Sequence, residues 1–271
     1  MKHYKQVTIA FDSNEVKEIL VALMADAGYE GFEEERGTLK AFIPAEHFKE
    51  EDLKNFISSY GVSYQFNDIA PKNWNASWES SFEPVIVKNF CAIRADFHSP
   101  VSSVRHEIII TPKMSFGTGH HATTFMMIEA MQETDFVGKT DFDFGTGTGV
   151  LAILAEKCGA KNVDAVDNDE WSIVNAEENI RRNACSRINL KREETINTGL
   201  KYDVILANIN RNIILQHLDV MRLHLNENGI VLLSGLLKAD EPEVEEKAKK
   251  EKLVVINKRE KHNWICLQCV T

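Results

Sequence analysis

Residues 141–149 have the sequence DFDFGTGTG, in which an apolar strand pattern runs directly into three glycines. The pattern predicts a strand, a sharp turn and a helix over residues 150–158. Glycine suits such a turn because the backbone must bend tightly and come close to a ligand. Asp167 ends the next predicted strand, 22 residues after Gly145, and a carboxylate there can accept the hydroxyl hydrogens of a ribose. These features predict a nucleoside-binding site.

The glycine spacing distinguishes between two cofactor classes. A dinucleotide site has the pattern G-x-G-x-x-G and binds a pyrophosphate at the helix N-terminus. Here the third glycine comes one residue early, and Asp143 lies two residues before the first glycine. A carboxylate at that place would repel a pyrophosphate and attract a ligand that carries an ammonium and a sulfonium. The spacing therefore favours S-adenosylmethionine over NAD, with Gly145 and Gly147 close to its methionine part.

Strand and helix patterns alternate from residue 138 onward, which is typical of a parallel sheet with helices on both faces. The predicted strands are Thr140–Phe144, Asn162–Val166, Ile188–Lys191, Asp203–Ala207 and Gly229–Leu233. Helices are predicted to start after Thr148, Asp169, Arg211 and Ala239. Two more strand patterns, Leu253–Arg259 and Trp264–Val270, end the sequence as a hairpin. The fold class of this part is therefore α/β.

The first 66 residues follow a different order, β-α-β-β-α-β, which is typical of a small ferredoxin-like α+β domain. In its first helix, apolar residues recur at helical spacing from Val16 onward, and either Asp12 or Ser13 can cap the N-terminus. After the domain, the pattern predicts short strands over Val85–Ile93 and Glu107–Ile110.

We predict a recognition domain over residues 1–66, a linker over 67–84 and a catalytic domain over 85–271. The linker region contains Trp74, Trp78 and Phe82, which recur every four residues. Such a stripe is more often structural than functional, and we expect it to form the core of a hinge helix.

Composition restricts the function classes. The chain has 271 residues, 44% of them hydrophobic and 27% charged, with a formal net charge of −10. An acidic protein is poorly suited to binding nucleic acid by phosphate neutralisation. No apolar stretch is long enough to cross a membrane, and the N-terminus lacks an apolar signal region. We therefore expect a cytoplasmic protein, by default a monomer, without direct nucleic-acid binding.

Two motifs raise the question of a metal site. Cys266 and Cys269 have C-x-x-C spacing, but they lie in a predicted strand where residues three apart face opposite sides. We interpret them as buried structural thiols. His120 and His121 are adjacent and therefore splay apart, and no acidic ligand pattern accompanies them. We expect no metal, and a loop histidine that orders a lid over the cofactor.

Asn208 ends the fourth predicted strand of the sheet, where ligands of such folds bind. Its amide offers one acceptor and two donors, which can orient an incoming amine. Methyl transfer to an amine mainly requires alignment and exclusion of water, so we predict Asn208 as the catalytic residue and no dedicated base. The structural alternative is a turn asparagine that caps the next helix.

Phe116 lies between small residues in the loop that precedes a predicted helix containing Thr124. Its ring can cover the cofactor, or it can pack in the core with equal ease. The sequence leaves both interpretations open.

Several of these segments together resemble a known family, the bacterial ribosomal protein methyltransferases called PrmA, which modify protein eleven of the large ribosomal subunit. The matching segments occur in order from Trp74 to the C-terminus: Trp74–Pro84 with its aromatic spacing, Met114–Thr124, Asp143–Gly149, Asp167–Asp169, Ala207–Ile209 and Leu233–Leu236. The N-terminal region fits only by the order of its elements.

The resemblance implies a class I methyltransferase: a Rossmann-like seven-stranded sheet with an antiparallel last strand, preceded by the ferredoxin-like domain. It implies that Thr124, Gly145, Asp167 and Asn208 contact S-adenosylmethionine. It also implies that the N-terminal domain captures the ribosomal protein, and that lysine ε-amines and the α-amine receive the methyl groups.

Two other functions stay open at the level of sequence. One is a class I methyltransferase that acts on RNA or a small molecule, and the other is a non-catalytic ribosome-associated binding protein. Residues 1–60 contain seven Lys/Arg and twelve Asp/Glu, a net charge of −5. This acidic balance disfavours RNA and suits electrostatic steering of a basic ribosomal protein.

Overall fold

The computed structural model describes residues 4–11, 13–35, 37–69, 82–113 and 116–271. The chain divides into two compact units, Met1–Ser77 and Trp78–Thr271. This division falls inside the predicted linker, most of which lies outside the described residues, so the linker stays a prediction. None of the helices in the described ranges is long and apolar enough to cross a membrane.

The first unit has the predicted order of elements. These are β1 (Tyr4–Ala10), α1 (Asn14–Asp26), β2 (Gly31–Glu35), β3 (Thr38–Pro44), α2 (Glu50–Ile57) and β4 (Tyr64–Ile69). The four strands form an antiparallel sheet in the order β2-β3-β1-β4. The predicted ferredoxin-like domain is thus confirmed, although its last strand continues three residues beyond the predicted boundary at 66.

Local chemistry explains how α1 forms and packs. Of the two candidate caps, Ser13 acts: its side chain accepts a hydrogen bond from the Val16 N–H at 3.2 Å. The helix then buries Leu20 and Met24 against strand residues such as Ile9. Asp12 lies outside the described residues.

The second unit begins with a three-stranded sheet of β5 (Val85–Val87), β6 (Cys91–Ala95) and β7 (His106–Ile110). The prediction of a single strand over Val85–Ile93 is wrong. Val87 pairs with Cys91 in an antiparallel hairpin, and Lys88 takes a left-handed conformation (φ 52°) in the turn. Apolar residues lie on both sides of the turn, so the hydrophobic pattern shows no break there.

A seven-stranded sheet forms the rest of the second unit. Its helices are α3 (Ala122–Gln132), α4 (Val150–Lys157), α5 (Glu170–Arg182), α6 (Arg211–Leu223) and α7 (Glu241–Lys250). Its strands are β8 (Thr140–Phe144), β9 (Asn162–Asp167), β10 (Ile188–Arg192), β11 (Tyr202–Asn208), β12 (Leu225–Leu237), β13 (Val254–Lys261) and β14 (Trp264–Val270). The strand order is β10-β9-β8-β11-β12-β14-β13.

The neighbours from β10 to β12 are parallel, whereas β14 is antiparallel to both β12 and β13. The predicted seven-stranded sheet with its antiparallel last strand is confirmed. Because β14 runs in the opposite direction, its first residue, Trp264, lies at the same edge of the sheet as the carboxyl ends of the parallel strands.

Two apolar clusters cover the two faces of this sheet, and successive residues of each strand alternate between them. Cys266 belongs to one cluster and Cys269 to the other. Burial raises the pKa of both thiols to about 12. The two sulfurs lie on opposite faces and are neutral, so they are structural thiols, as predicted.

Candidate active site

A cavity of about 680 Å³ lies at the carboxyl ends of the parallel strands. It brings together five of the residues selected from the sequence: Phe116, Gly145, Gly147, Asp167 and Asn208. A narrow recess beside it is lined by Thr124, again with Gly145 and Asn208. Open α/β sheets bind ligands at this edge, at the point where the chain switches from one side of the first strand to the other. Here that strand is β8, with β9 on one side and β11 on the other.

The glycine turn is shaped by close backbone approaches. Gly145 and Gly147 have φ angles of 72° and 55°, a region that side-chain-bearing residues rarely adopt. A Cβ at Gly145 would lie less than 3.0 Å from the side chain of Ile209, and one at Gly147 less than 3.0 Å from the carbonyl oxygen of Phe116. Only glycine therefore fits at both positions.

The loop that carries Phe116 rests directly on this turn. The Thr148 N–H donates to the carbonyl of Phe116 at 3.0 Å, and the Thr148 hydroxyl donates to the carbonyl of Gly117 at 2.9 Å. The Phe116 side chain is 52% exposed and lines the cavity. Of the two interpretations left open above, core packing is therefore wrong, and a ring that faces the ligand space agrees with the structure.

Asp167 is fixed by two backbone donors at the end of β9. Its Oδ2 accepts the Gly147 N–H at 2.9 Å, and its Oδ1 accepts the Asp169 N–H at 3.0 Å. Each carboxylate oxygen can accept more than one hydrogen bond. The carboxylate lines the cavity, so it retains acceptor capacity for the hydroxyls of a sugar.

Asn208 ends β11 and is only 7% exposed. Its amide Nδ2 donates to the hydroxyl of Thr124 at 3.1 Å, whereas its carbonyl Oδ1 has no partner among the described residues. The alternative role of helix cap belongs to Asn210, whose side chain accepts the Ile213 N–H. Asn208 thus lines the cavity and holds a buried, unpartnered acceptor, which a ligand N–H that reaches it would satisfy.

Asp143 lies elsewhere than the sequence suggested. It is fully buried beneath the turn, outside the cavity lining, and its Oδ2 accepts the Thr146 hydroxyl at 2.6 Å. Burial raises its pKa to about 7, against the lowering effect of that hydrogen bond. The expectation of direct electrostatic contact with a ligand needs correction here, because the carboxyl instead supports the turn from below.

Sequence reasoning missed other residues of the cavity. Glu193 and Glu194 follow β10, His217 projects from α6, and Trp264 begins β14; all four line the cavity. The rule that parallel strands converge at one edge could have identified the two glutamates. The antiparallel last strand that the resemblance implies could have identified Trp264, because such a strand begins at this edge of the sheet.

The two histidines of the loop have separate surroundings. His121 caps α3 by accepting the Thr123 N–H, and its ring meets that of Trp264 edge-on at 4.7 Å. His120 instead contacts the ring of Phe82, which is buried in the core. No group of three His, Cys, Asp or Glu within the described residues could hold a metal ion. Trp74 and Trp78 lie outside those residues.

The residues present fit an S-adenosylmethionine molecule. The Asp167 carboxylate suits the sugar hydroxyls, and Gly145 and Gly147 border the same cavity. Asn208, which lines the same cavity, has a further acceptor in its unpartnered Oδ1.

Comparison with known proteins agrees with this geometry. The sequence profile of a family described as ribosomal protein L11 methyltransferase (PrmA) matches residues 4–271. The chain belongs to this family. Its membership in the PrmA family makes it an S-adenosylmethionine-dependent methyltransferase.

Individual PrmA relatives match over most of the chain. The ribosomal protein L11 methyltransferase of Bacteroides fragilis is 35% identical over 263 residues, which cover 94% of each protein. That of Chlorobaculum parvum is 40% identical over 255 residues, with 89% of this chain and 88% of the relative covered. The crystal structure of a ribosomal protein L11 methylase from Lactobacillus delbrueckii subsp. bulgaricus is 30% identical with a TM-score of 0.65, covering 69% of this chain and 98% of the other.

Proposed function

We propose that this chain transfers methyl groups from S-adenosylmethionine to amino groups of ribosomal protein L11, at lysine side chains and at the α-amine. The relatives named for this activity support the choice of substrate. The observation that carries the proposal is that Asn208, whose buried Oδ1 is unpartnered, lines the same cavity as Asp167 and the glycine turn.

The cofactor supplies an electrophilic methyl group on a positively charged sulfur. In this proposal Asp167 accepts the ribose hydroxyls, while the backbone at Gly145 and Gly147 lies against the methionine part. Thr124 lines the recess beside the turn and holds the amide of Asn208 in place. These groups orient the ligand and exclude water, which is the main requirement of a displacement at carbon.

The acceptor amine must be neutral to attack. For a lysine, deprotonation at pH 7 costs about 4.6 kcal/mol, since its ordinary pKa is about 10.4. A partly desolvated cavity lowers this cost, because burial disfavours the ammonium form. Asn208 Oδ1 can then accept an amine N–H and direct the nitrogen lone pair, while the released proton passes to water.

Recognition of the protein substrate is assigned to residues 1–66, with 67–84 as linker and 85–271 as catalytic domain. The net charge of −5 over residues 1–60 supports attraction of a basic ribosomal protein. With the overall charge of −10, it also supports the absence of direct nucleic-acid binding. A cytoplasmic location and a monomeric state are part of the same proposal.

The proposal is tested by incubating the full chain with labelled S-adenosylmethionine and a mixture of ribosomal proteins and ribosomal RNA. We expect label in the L11 band, and loss of that label in Asn208→Ala. Label in RNA would favour the RNA methyltransferase alternative. Absence of all label would favour the non-catalytic alternative.

A further inference from the structure

Three aromatic side chains form one side of the cavity. Phe116, His121 and Trp264 all line it. The ring of His121 lies 5.4 Å from that of Phe116 and 4.7 Å from that of Trp264, measured between centroids. We call these three residues the aromatic wall. The hydrogen-bonding residues of the site do not explain why aromatic rings are grouped here.

On the sheet, Asp167 and the Trp264 end of the aromatic wall lie on opposite sides of Asn208. Asn208 pairs in register with Ser234 of β12, which in turn pairs with Cys266 of β14, two residues from Trp264. Asp167 ends β9, on the other side of β8. With strands about 4.8 Å apart, β9 and β14 are separated by about 19 Å. Phe116 lies at the glycine turn, whereas Trp264 lies on the far side of Asn208. A cofactor held by Asp167 and the turn on β8 therefore leaves the Trp264 end of the aromatic wall to the acceptor.

The wall is also connected to Asn208 through one helix. Thr124, which accepts the amide hydrogen of Asn208, lies in the first turn of α3, and His121 is the N-cap of the same helix. Asn208 and the His121 ring of the aromatic wall are therefore linked through the first turn of α3.

We propose that the aromatic wall binds the methylated forms of the acceptor amine and thereby determines how many methyl groups each amine receives. The inference rests on the proposed function. Each transfer forms a nitrogen–carbon bond as the carbon–sulfur bond breaks, and the electron pair of that bond goes to sulfur. The amine is left as a methylammonium, which must lose a proton to water before it can react again.

Successive methylation changes what can hold the amine. A neutral primary amine has two N–H groups, a monomethylamine has one and a dimethylamine has none, so Asn208 Oδ1 can orient the first two forms and not the third. In the last transfer, positive charge develops on a nitrogen that has no N–H, and aromatic faces attract such a charge through cation–π interaction. The first transfer therefore depends mainly on Asn208, and the last depends mainly on the aromatic wall.

The test counts methyl groups by mass spectrometry on L11 modified by the full chain, in time courses with Trp264→Leu and Trp264→Phe. We expect Trp264→Leu to slow the last transfer about tenfold relative to the first, within the range of cation–π effects. Trp264→Phe retains an aromatic face and should restore most of the wild-type distribution. Trp171→Leu is the matched control, because Trp171 is 81% exposed on α5 and outside the cavity lining.

A second substrate gives a readout that a merely structural role would not move. The rate of each protein is measured on unmodified L11 and on L11 whose lysines have been reductively dimethylated. The ratio of the rate on dimethylated L11 to the rate on unmodified L11 should be lower for Trp264→Leu than for the wild type. For Asn208→Ala the same ratio should be higher than for the wild type. Cofactor affinity and thermal midpoint of each variant report on folding.

Several outcomes overturn the inference. One is a wild type that adds a single methyl group, and another is a Trp264→Leu variant whose product distribution equals that of the wild type. Equal slowing of all transfers in Trp264→Leu, with folding retained, would assign the ring a structural role instead. A wild type that adds no methyl group to L11 would overturn the proposed function, and this inference with it.

Discussion

The carbonyl oxygen of Phe116 lies so close to Gly147 that no side chain fits between them: a Cβ at Gly147 would be less than 3.0 Å from that oxygen. The same residue, Gly147, donates its N–H to Asp167. One glycine thus contacts both the loop that covers the cavity and the carboxylate assigned to the sugar.

We expect Gly147→Ala to weaken S-adenosylmethionine binding more than about tenfold, or about 1.4 kcal/mol, because the added methyl displaces either the loop or the turn. Isothermal titration calorimetry measures the affinity. Gly138→Ala is the matched control: Gly138 also has a positive φ, of 71°, but nothing lies within 4 Å of its Cβ position. Both variants carry the backbone strain of about 1–2 kcal/mol; equal loss of affinity in both would contradict the steric account.

Asp167→Asn should lower cofactor affinity by about 1.5–3 kcal/mol, the usual contribution of a hydrogen bond to a charged group. The amide keeps the shape of the side chain but presents a donor group where the carboxylate accepts. Calorimetry again provides the measurement. Asp164→Asn on the same strand serves as control, since Asp164 bonds Tyr202 and Asn189 away from the cavity. Unchanged affinity in Asp167→Asn would remove the ribose role.

Thr124→Val removes the hydroxyl that accepts the Asn208 amide hydrogen. We expect kcat to fall about fivefold, since the loss of one such bond is worth about 1 kcal/mol and frees the Asn208 side chain to rotate. Initial rates at saturating cofactor and substrate measure the effect. Thr124→Ser keeps the hydroxyl and should retain most of the rate; a serine variant as slow as the valine variant would argue against this role.

Asp143 should make stability fall as pH rises toward neutrality. Its carboxyl has a pKa of about 7 in the folded protein and an ordinary value of 3.8, so unfolding releases a proton between these pH values. The free energy of unfolding therefore decreases with rising pH across this window, by up to about 4 kcal/mol for this group.

The measurement is urea denaturation of the wild type and Asp143→Asn at several pH values between about 4 and about 7. The variant should gain stability relative to the wild type as pH rises. Burial raises the pKa of Asp141 as well, and the neighbouring Asp143 charge adds to that shift. The part due to burial is present in both proteins and cancels in the difference, whereas the part due to Asp143 is counted with the effect of the substitution. A stability difference that does not change with pH would show that Asp143 keeps an ordinary pKa.

The glycine turn and Asp167 could be predicted because their signal is local: a strand, a turn and a helix follow each other, and the acid ends the next strand. The ferredoxin-like domain was predictable for the same reason, since each of its elements has a clear periodicity. The sequence alone does not tell whether Asn208 caps the following helix or lines the cavity. The hydrogen bond that the Ile213 N–H donates to Asn210 identifies Asn210 as the cap.

Other parts of the site depend on tertiary structure. Trp264 reaches the cavity because its strand, β14, pairs antiparallel with β12. No local sequence pattern predicts this pairing. Asp143 was placed in the cavity from its nearness to the glycines. In fact Asp141 and Asp143 alternate with two phenylalanines along β8, which puts both carboxyls into the same buried layer.

Thr148 makes the glycine turn unsuitable for transplantation as an isolated segment. It is completely buried, and its N–H and its hydroxyl donate hydrogen bonds to the carbonyls of Phe116 and Gly117, respectively. A chimera that carried residues 145–149 into another scaffold without this loop would leave two buried donors without acceptors, at about 1–3 kcal/mol each. An engineer who wants this turn must therefore move two segments that lie some thirty residues apart in the sequence.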